Sequence, residues 1–140
     1  MKQAVDRRAA LGMGLAATSL ALVAADAAAQ QAPAAGGKEL APGVHRIEHG
    51  KRESMIPGYK NVSMADVVYQ PKAKLASGLQ MPNDMVCHCP EGELRVKQPG
   101  GMEFVAKKGD LWTCKKGILE ETENVGAGVA VMRIINLLPA

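Results

Sequence analysis

From Val44 to the end of the chain, short apolar or alternating runs are separated by residues that favour turns, among them several Pro, Gly, Asn and Asp. A period of two over short runs favours half-buried β-strands, whereas no long segment here has the 3.6-residue period of an amphipathic helix. The pattern predicts strands over residues 44–48, 62–70, 79–81, 85–89, 93–97, 102–106, 111–114, 118–123 and 129–138. Short strands at this spacing are typical of antiparallel sandwiches and barrels. We therefore expect an all-β fold, a small antiparallel β-barrel or jelly roll.

Residues 1–29 follow a different pattern. A start that contains Lys2, Arg7 and Arg8 precedes an apolar stretch over residues 9–25, and three alanines end at Ala29. This order is that of a secretory signal peptide, and the Arg7-Arg8 pair before the apolar stretch favours the twin-arginine route. A general secretory signal and a retained N-terminal anchor are the alternatives. We expect an exported protein, periplasmic or secreted, cleaved near Ala29.

The chain therefore divides into three segments. Residues 1–29 form the signal peptide, residues 30–43 are small and polar enough for a flexible tether, and residues 44–140 form the barrel domain. No membrane span is expected once the signal peptide is removed.

The amino-acid composition limits the kinds of partner that we expect this chain to bind. The chain is 47% hydrophobic and 22% charged, which is ordinary for a globular protein, but only 3% aromatic, and its net charge is +3. Nucleic-acid surfaces need basic grooves and aromatic stacking platforms, so we expect no nucleic-acid partner. A small domain buries a modest fraction of its surface, and pairing adds to that burial. We expect a homodimer.

Several turn motifs occur together over residues 60–138, namely Glu91-Gly92-Glu93-Leu94, Gly109-Asp110, Gly117 and Asn124-Val125-Gly126. Their order and spacing resemble those of the cupin superfamily, and this resemblance implies a single-domain β-barrel. It also implies a metal held by two His and one Glu in a first motif and one His in a second. Those positions fall here on Leu79, Met81, Met85 and Glu120, so the chain resembles a small exported cupin that lacks the usual metal ligands. The resemblance therefore does not bring with it the Fe or Mn chemistry of cupin enzymes.

The residues at these positions suggest a different chemistry. If Met81 and Met85 face the barrel interior, strand alternation also places Cys87 inward, and Glu120 projects from a facing strand. Thioethers and thiolates are soft donors that select Cu(I), so Met81, Met85, Cys87 and Glu120 are the candidate ligands of a soft metal such as copper. The alternative is a metal-free interior in which Met fills irregular gaps. Further candidate pocket residues are Leu79, Trp112, Cys114 and Met132.

The state of the three cysteines stays open. Cys87 and Cys89 share one face of their predicted strand, and His88 takes the other. In an oxidising compartment Cys114 pairs with Cys87 or Cys89 in a disulfide. Otherwise all three cysteines are buried thiols that pack as small apolar groups.

A buried Glu120 requires a partner, and Arg133 is the candidate. His45 and His49 lie four residues apart on one predicted strand. Because the sequence places no carboxylate beside them, we expect both histidines to face solvent.

Three classes of function follow. The one we favour is an exported binding protein that holds a small molecule or a soft metal in its barrel. The second is a cupin-like enzyme with an atypical site built on Glu120 and Cys87. The third is a metal-free accessory or structural dimer. The fold alone does not choose between them.

Overall fold

The computed structural model describes residues 36–76 and 80–140. The predicted signal peptide, residues 30–35 of the predicted tether and Leu79 lie outside these residues. The described part contains ten strands and a short 3-10 turn at Pro99–Gly101. In chain order the strands are β1 (Lys38–Ala41), β2 (Val44–Glu53), β3 (Tyr59–Tyr69), β4 (Lys74–Leu75), β5 (Asp84–Glu91), β6 (Glu93–Gln98), β7 (Met102–Lys107), β8 (Leu111–Cys114), β9 (Glu121–Asn124) and β10 (Ala130–Pro139).

The strands form two antiparallel sheets. The larger sheet has the order β1-β2-β3-β10-β5-β8, and the smaller has the order β4-β9-β6-β7. Strands β3 and β10 lie at the centre of the larger sheet and pair along nearly their whole length. The all-β prediction is confirmed, and the strands predicted from residue 85 to residue 114 match the observed ones within two residues at each end.

The hydrophobic core lies between the sheets, because each strand turns alternate side chains inward. On β5, Met85, Cys87 and Cys89 are buried and the residues between them are only half-buried. The other buried apolar residues are Val44, Ala65, Val67, Tyr69, Leu94, Val96, Ala106, Trp112, Cys114, Ala130, Met132 and Ile134. The alternation read from the sequence therefore assigned the inward face of β5 correctly.

A glycine allows the tight passage from β5 to β6. Gly92 has φ +80°, and a Cβ built on it would lie 2.6 Å from the Cα of Ala130. Only glycine avoids both the strained dihedral and the clash with the β10 backbone. The Glu91-Gly92-Glu93 motif of the sequence therefore lies at the turn from β5 to β6, where the chain passes directly against β10.

The structure differs from the predicted elements at several places. The strand predicted over residues 79–81 is wrong for the two described residues, because Gln80 forms an isolated bridge with Leu119 and Met81 belongs to no strand. Strand β3 begins three residues before its predicted start, and the two-residue strand β4 was not predicted. Strand β1 lies within the segment predicted to be a tether and pairs with β2. Strand β2 continues past His49 and Gly50 through an irregularity between Glu48 and Gly50. Strand β9 begins at Glu121, later than predicted. Short or polar strands such as β1 have little hydrophobic alternation to identify them.

Within the part of the chain that the structure describes, no helix is long and apolar enough to cross a membrane.

Candidate functional site

A cavity of about 710 Å³ opens between the two sheets. Its apolar walls come from both sheets and include residues of the first and the last described strand. The apolar lining residues are Leu40, Val67, Leu75, Met81, Pro82, Met85, Met132, Ile134 and Leu138. Its other lining residues are Gly50 and the polar or charged residues Arg46, Glu48, Lys51, Ser63, Gln80, Asn83, Glu120, Thr122 and Asn136. Inward-facing residues of β3, β5 and β10 form the wall on the side of the larger sheet. The cavity is therefore the interior of the barrel, where the sequence placed its candidate site.

Glu120 is the buried carboxylate of this cavity. It immediately precedes β9 and is 5% exposed. Its Oε2 atom accepts a hydrogen bond from the Gln98 side-chain amide at 2.8 Å and another from the Cys114 thiol at 2.8 Å. Its Oε1 atom has no hydrogen-bond partner among the described residues, and Glu120 lines the cavity. Oε1 is thus the oxygen available to a molecule in the cavity.

The two thiols behind Glu120 form a buried pair. The Cys87 and Cys114 sulfurs lie 3.8 Å apart, and all three cysteines of the described domain are free. The hydrogen bond to Cys87, burial and the nearby Glu120 carboxylate together raise the pKa of Cys114 above its usual value. Cys114 therefore stays a neutral thiol that donates its proton toward Glu120.

The structure brings together only some of the predicted site residues. Met81, Met85 and Glu120 line the cavity, together with the predicted pocket residue Met132. Cys87 and Cys114 contact each other instead and are not part of the cavity lining. Leu79 lies outside the described residues.

Trp112 is buried beside Phe104 rather than at the cavity wall. The two rings meet edge to face with their centroids 6.0 Å apart, and the indole nitrogen has no hydrogen-bond partner among the described residues. Aromatic pairs in this arrangement contribute to the packing of a protein core. The lining of the cavity does not include Trp112.

Sequence reasoning missed Gln98, which donates to Glu120 and also to the Thr113 carbonyl at 3.2 Å. Its signal was present, because Leu94, Val96 and Gln98 alternate along β6 and the first two are buried. Extending the same alternation by two residues places Gln98 on the inward face. A polar residue at an inward position of a strand is a candidate for a buried polar contact.

The predicted partnership of Glu120 with Arg133 is wrong. Arg133 faces the other side of the larger sheet and forms two hydrogen bonds of 2.8 Å with Asp66. His49 reaches the same carboxylate, with Nε2 2.8 Å from Asp66 Oδ2. The sequence placed no carboxylate beside His49, whereas the structure places Asp66 there, and His49 is exposed as expected. Arg133 meets Asp66 because the two residues are opposite each other in the β3–β10 register, although they lie 67 residues apart in sequence.

The donor set does not fit the metal that the cupin resemblance implies. Fe and Mn sites are built mainly from imidazole and carboxylate ligands, whereas the corresponding positions here carry Met81, Met85, Glu120 and Leu79. Among residues 36–76 and 80–140, no three His, Cys, Asp or Glu side chains are grouped so that they could hold a metal. The described lining residues that carry sulfur are Met81, Met85 and Met132.

No protein-family model and no curated protein matches the chain, but solved structures do. The cupin domain of Schizosaccharomyces pombe Cnp3 matches with a TM-score of 0.57 and 16% identity, over 68% of this chain and 61% of that one. A cupin superfamily protein from Desulfitobacterium hafniense matches with a TM-score of 0.54 and 10% identity, over 72% and 83%. An RmlC-like cupin from Shewanella frigidimarina matches with a TM-score of 0.54 and 16% identity, over 74% and 82%. At these identities the likeness is one of fold, and it confirms the cupin-like barrel that the turn motifs suggested.

Proposed function

We propose that this cupin-fold chain is an exported binding protein that holds a small, mainly apolar molecule in its barrel. The cavity of about 710 Å³ supports the proposal, because ligand sites are typically concave, mostly apolar and about 300–1,000 Å³ in size. Most of the surface that lines the cavity is apolar, as is usual for such sites. Export rests on the signal-peptide pattern of residues 1–29.

The arrangement of the cysteines favours binding over the enzyme alternative. A site built on Glu120 and Cys87 needs both groups to reach one substrate, whereas the Cys87 thiol faces Cys114 and is absent from the cavity lining. Of these two groups, the cavity presents the carboxylate. A carboxylate on a preformed apolar wall is suited to orienting a ligand.

Met132 offers a direct test with a matched control. It lies on β10 and lines the cavity, whereas Met64 lies on the neighbouring strand β3 and is exposed on the opposite face of the sheet. The probe is N-phenyl-1-naphthylamine, a neutral apolar dye whose fluorescence increases in apolar surroundings. We expect the protein to bind it, Met132→Trp to weaken binding at least about tenfold by filling the cavity, and Met64→Trp to leave it unchanged.

The dye titration is accompanied by thermal unfolding of each variant, so that loss of the fold is not read as loss of the cavity. If Met132→Trp does not fold, Met85→Phe is used in its place, because Met85 lines the same cavity from β5. No binding by the natural protein, or equal binding by a folded cavity-filling variant and the Met64→Trp control, would show the proposal to be wrong.

A soft metal is the second candidate, and one observation favours it. Met81, Met85 and Met132 line the same cavity as Glu120, and thioethers are donors that select Cu(I). The double variant Met81→Leu/Met85→Leu is expected to lose Cu(I) in an anaerobic competition titration with a chromophoric chelator. The exposed residue Met102 supplies the control, Met102→Leu. If the natural protein does not compete with the chelator for Cu(I), the metal candidate is eliminated.

A further inference from the structure

We propose that the cavity selects a cationic amine with an apolar body, and that Glu120 is the residue that sets this specificity. The inference rests on the proposed function, because it names the class of molecule that the same cavity binds. It comes from the asymmetry of one carboxylate that lines the cavity: Oε2 accepts from two protein donors, and Oε1 accepts from none of the described residues.

The donors that hold Glu120 are both neutral. Gln98 contributes an amide and Cys114 a thiol, and no Lys, Arg or His among the described residues lies within ion-pair distance of this carboxylate. Burying a carboxylate without a cation is unfavourable. A protonated amine that donates to Oε1 would supply the missing charge and the missing hydrogen bond together.

The other charged groups of the cavity lining do not compete for this role. Arg46 is paired with Glu48, and the Glu48 side chain is 62% exposed. Lys51 is exposed to solvent on β2. Screening by water weakens the influence of exposed charges on a bound ligand. Glu120 is therefore the buried charge around which a ligand would be oriented.

Two hydrogen bonds also fix the position of the carboxylate. Gln98 reaches it from β6 and Cys114 from β8, so strands of both sheets converge on Oε2. A group held in this way loses little conformational freedom when a ligand binds, and such preorganisation favours affinity. The methionines beside it are unbranched and polarisable and adapt to apolar bodies of different shape.

The experiment compares four ligands that share one body: 4-phenylbutylamine, 4-phenylbutan-1-ol, 4-phenylbutanoate and butylbenzene. Isothermal titration calorimetry near neutral pH gives an affinity for each, because the amine is then protonated and the acid ionised. We expect the amine to bind about tenfold to a hundredfold more tightly than the alcohol and the hydrocarbon, the range for a hydrogen bond between charged groups. The carboxylate should bind least, because its charge repels Glu120.

Three variants assign the preference to Glu120. Glu120→Gln keeps the shape and removes the charge, so it should abolish the amine preference. Glu120→Asp keeps the charge and should retain a weaker preference. Glu121→Gln removes the same charge from the next residue, which is half-buried on β9 and pairs with Lys74, and should bind the amine as the natural protein does.

The outcomes separate this inference from the proposed function. If the natural protein binds the alcohol and the hydrocarbon as tightly as the amine, or if Glu120→Gln keeps the amine preference, the selectivity for amines is wrong while the binding function stands. If neither N-phenyl-1-naphthylamine nor any of the four ligands binds, both are wrong. Fold integrity is checked for each variant by its thermal unfolding.

Discussion

Asn124 shows how one side chain closes a corner of the barrel. It is 1% exposed, and its amide donates to the carbonyls of Tyr69 and Gly128 while its carbonyl accepts from the backbone of Gly126. A side chain at the end of β9 therefore satisfies backbone groups of the following turn, at Gly126 and Gly128, and of β3, at Tyr69. The sequence showed the Asn-x-Gly spacing, but the contact with Tyr69, 55 residues away, required the fold.

We predict that Asn124→Ala lowers the free energy of unfolding by about 3 kcal/mol, because it leaves buried backbone groups without partners. Urea denaturation followed by circular dichroism measures the change. Asn61→Ala, at a half-buried position of β3, is the control and is expected to cost less than about 1 kcal/mol. Equal losses in the two variants would contradict the role assigned to Asn124.

Glu120 shows which properties of a single residue the sequence predicts and which it does not. Its inward direction could be predicted from alternation, and so could those of Met85 and Met132. Its partners could not, because Gln98 and Cys114 meet it only when β6 and β8 approach from different sheets. A sequence offers many residues able to satisfy a buried carboxylate, and the choice among them is made by strand register.

At the scale of elements, one carboxylate on the outer face of the larger sheet links three strands. Asp66 on β3 accepts from Arg133 on β10 and contacts His49 on β2, so three adjacent strands share it. Burial by itself raises the pKa of Asp66, but the hydrogen bonds from Arg133 and His49 outweigh that effect and hold it below its usual value of 3.8. The folded state therefore binds a proton at Asp66 less tightly than the unfolded state does.

This direction gives a pH prediction. The stabilisation from Asp66 is fully present above about pH 4, and it is lost as the pH falls through the lower folded-state pKa. Asp66→Asn should lower the free energy of unfolding by about 1–2 kcal/mol at pH 7, because the Arg133 side chain is partly exposed. The difference from the natural protein should shrink progressively below pH 4.

Urea denaturation at a series of pH values measures both curves. Glu53→Gln, at the exposed end of β2, serves as the control, and its free energy of unfolding should stay within about 0.5 kcal/mol of the natural value throughout. A difference between Asp66→Asn and the natural protein that grows on acidification would contradict the assignment.

The sequence predicted some of the strands well and missed others. Strands such as β5 and β8 have clear alternation and end at turn residues, so their bounds could be predicted. Strand β1 has the sequence Lys-Glu-Leu-Ala and β4 is only two residues long, so neither has enough alternation to separate it from a loop. Their order in the sheets depends on pairings between distant strands, which periodicity does not encode.

For the whole molecule, the larger sheet has one face on the cavity and another that no part of the described chain covers. Ile135 and Met64 are paired across the central strands β10 and β3, and each is 38% exposed on the outer face. Leu111, at the edge strand β8, is 69% exposed on the same face. Central strands of a sheet seldom present a group of large apolar side chains to water unless the patch meets a partner. A second copy of the chain meets such a patch with the same residues in an isologous dimer.

The homodimer expected from the sequence is therefore predicted to form through this face. Sedimentation velocity should show a dimer for the natural protein and a monomer for Ile135→Lys, because a cation at the centre of the face would be buried without a counterion in the dimer. Met102→Lys changes an exposed methionine of the smaller sheet and should stay dimeric. A natural protein that sediments as a monomer at all concentrations, or an Ile135→Lys variant that remains a dimer, would exclude this interface. Because Ile135 does not line the cavity, Ile135→Lys should bind N-phenyl-1-naphthylamine with unchanged affinity.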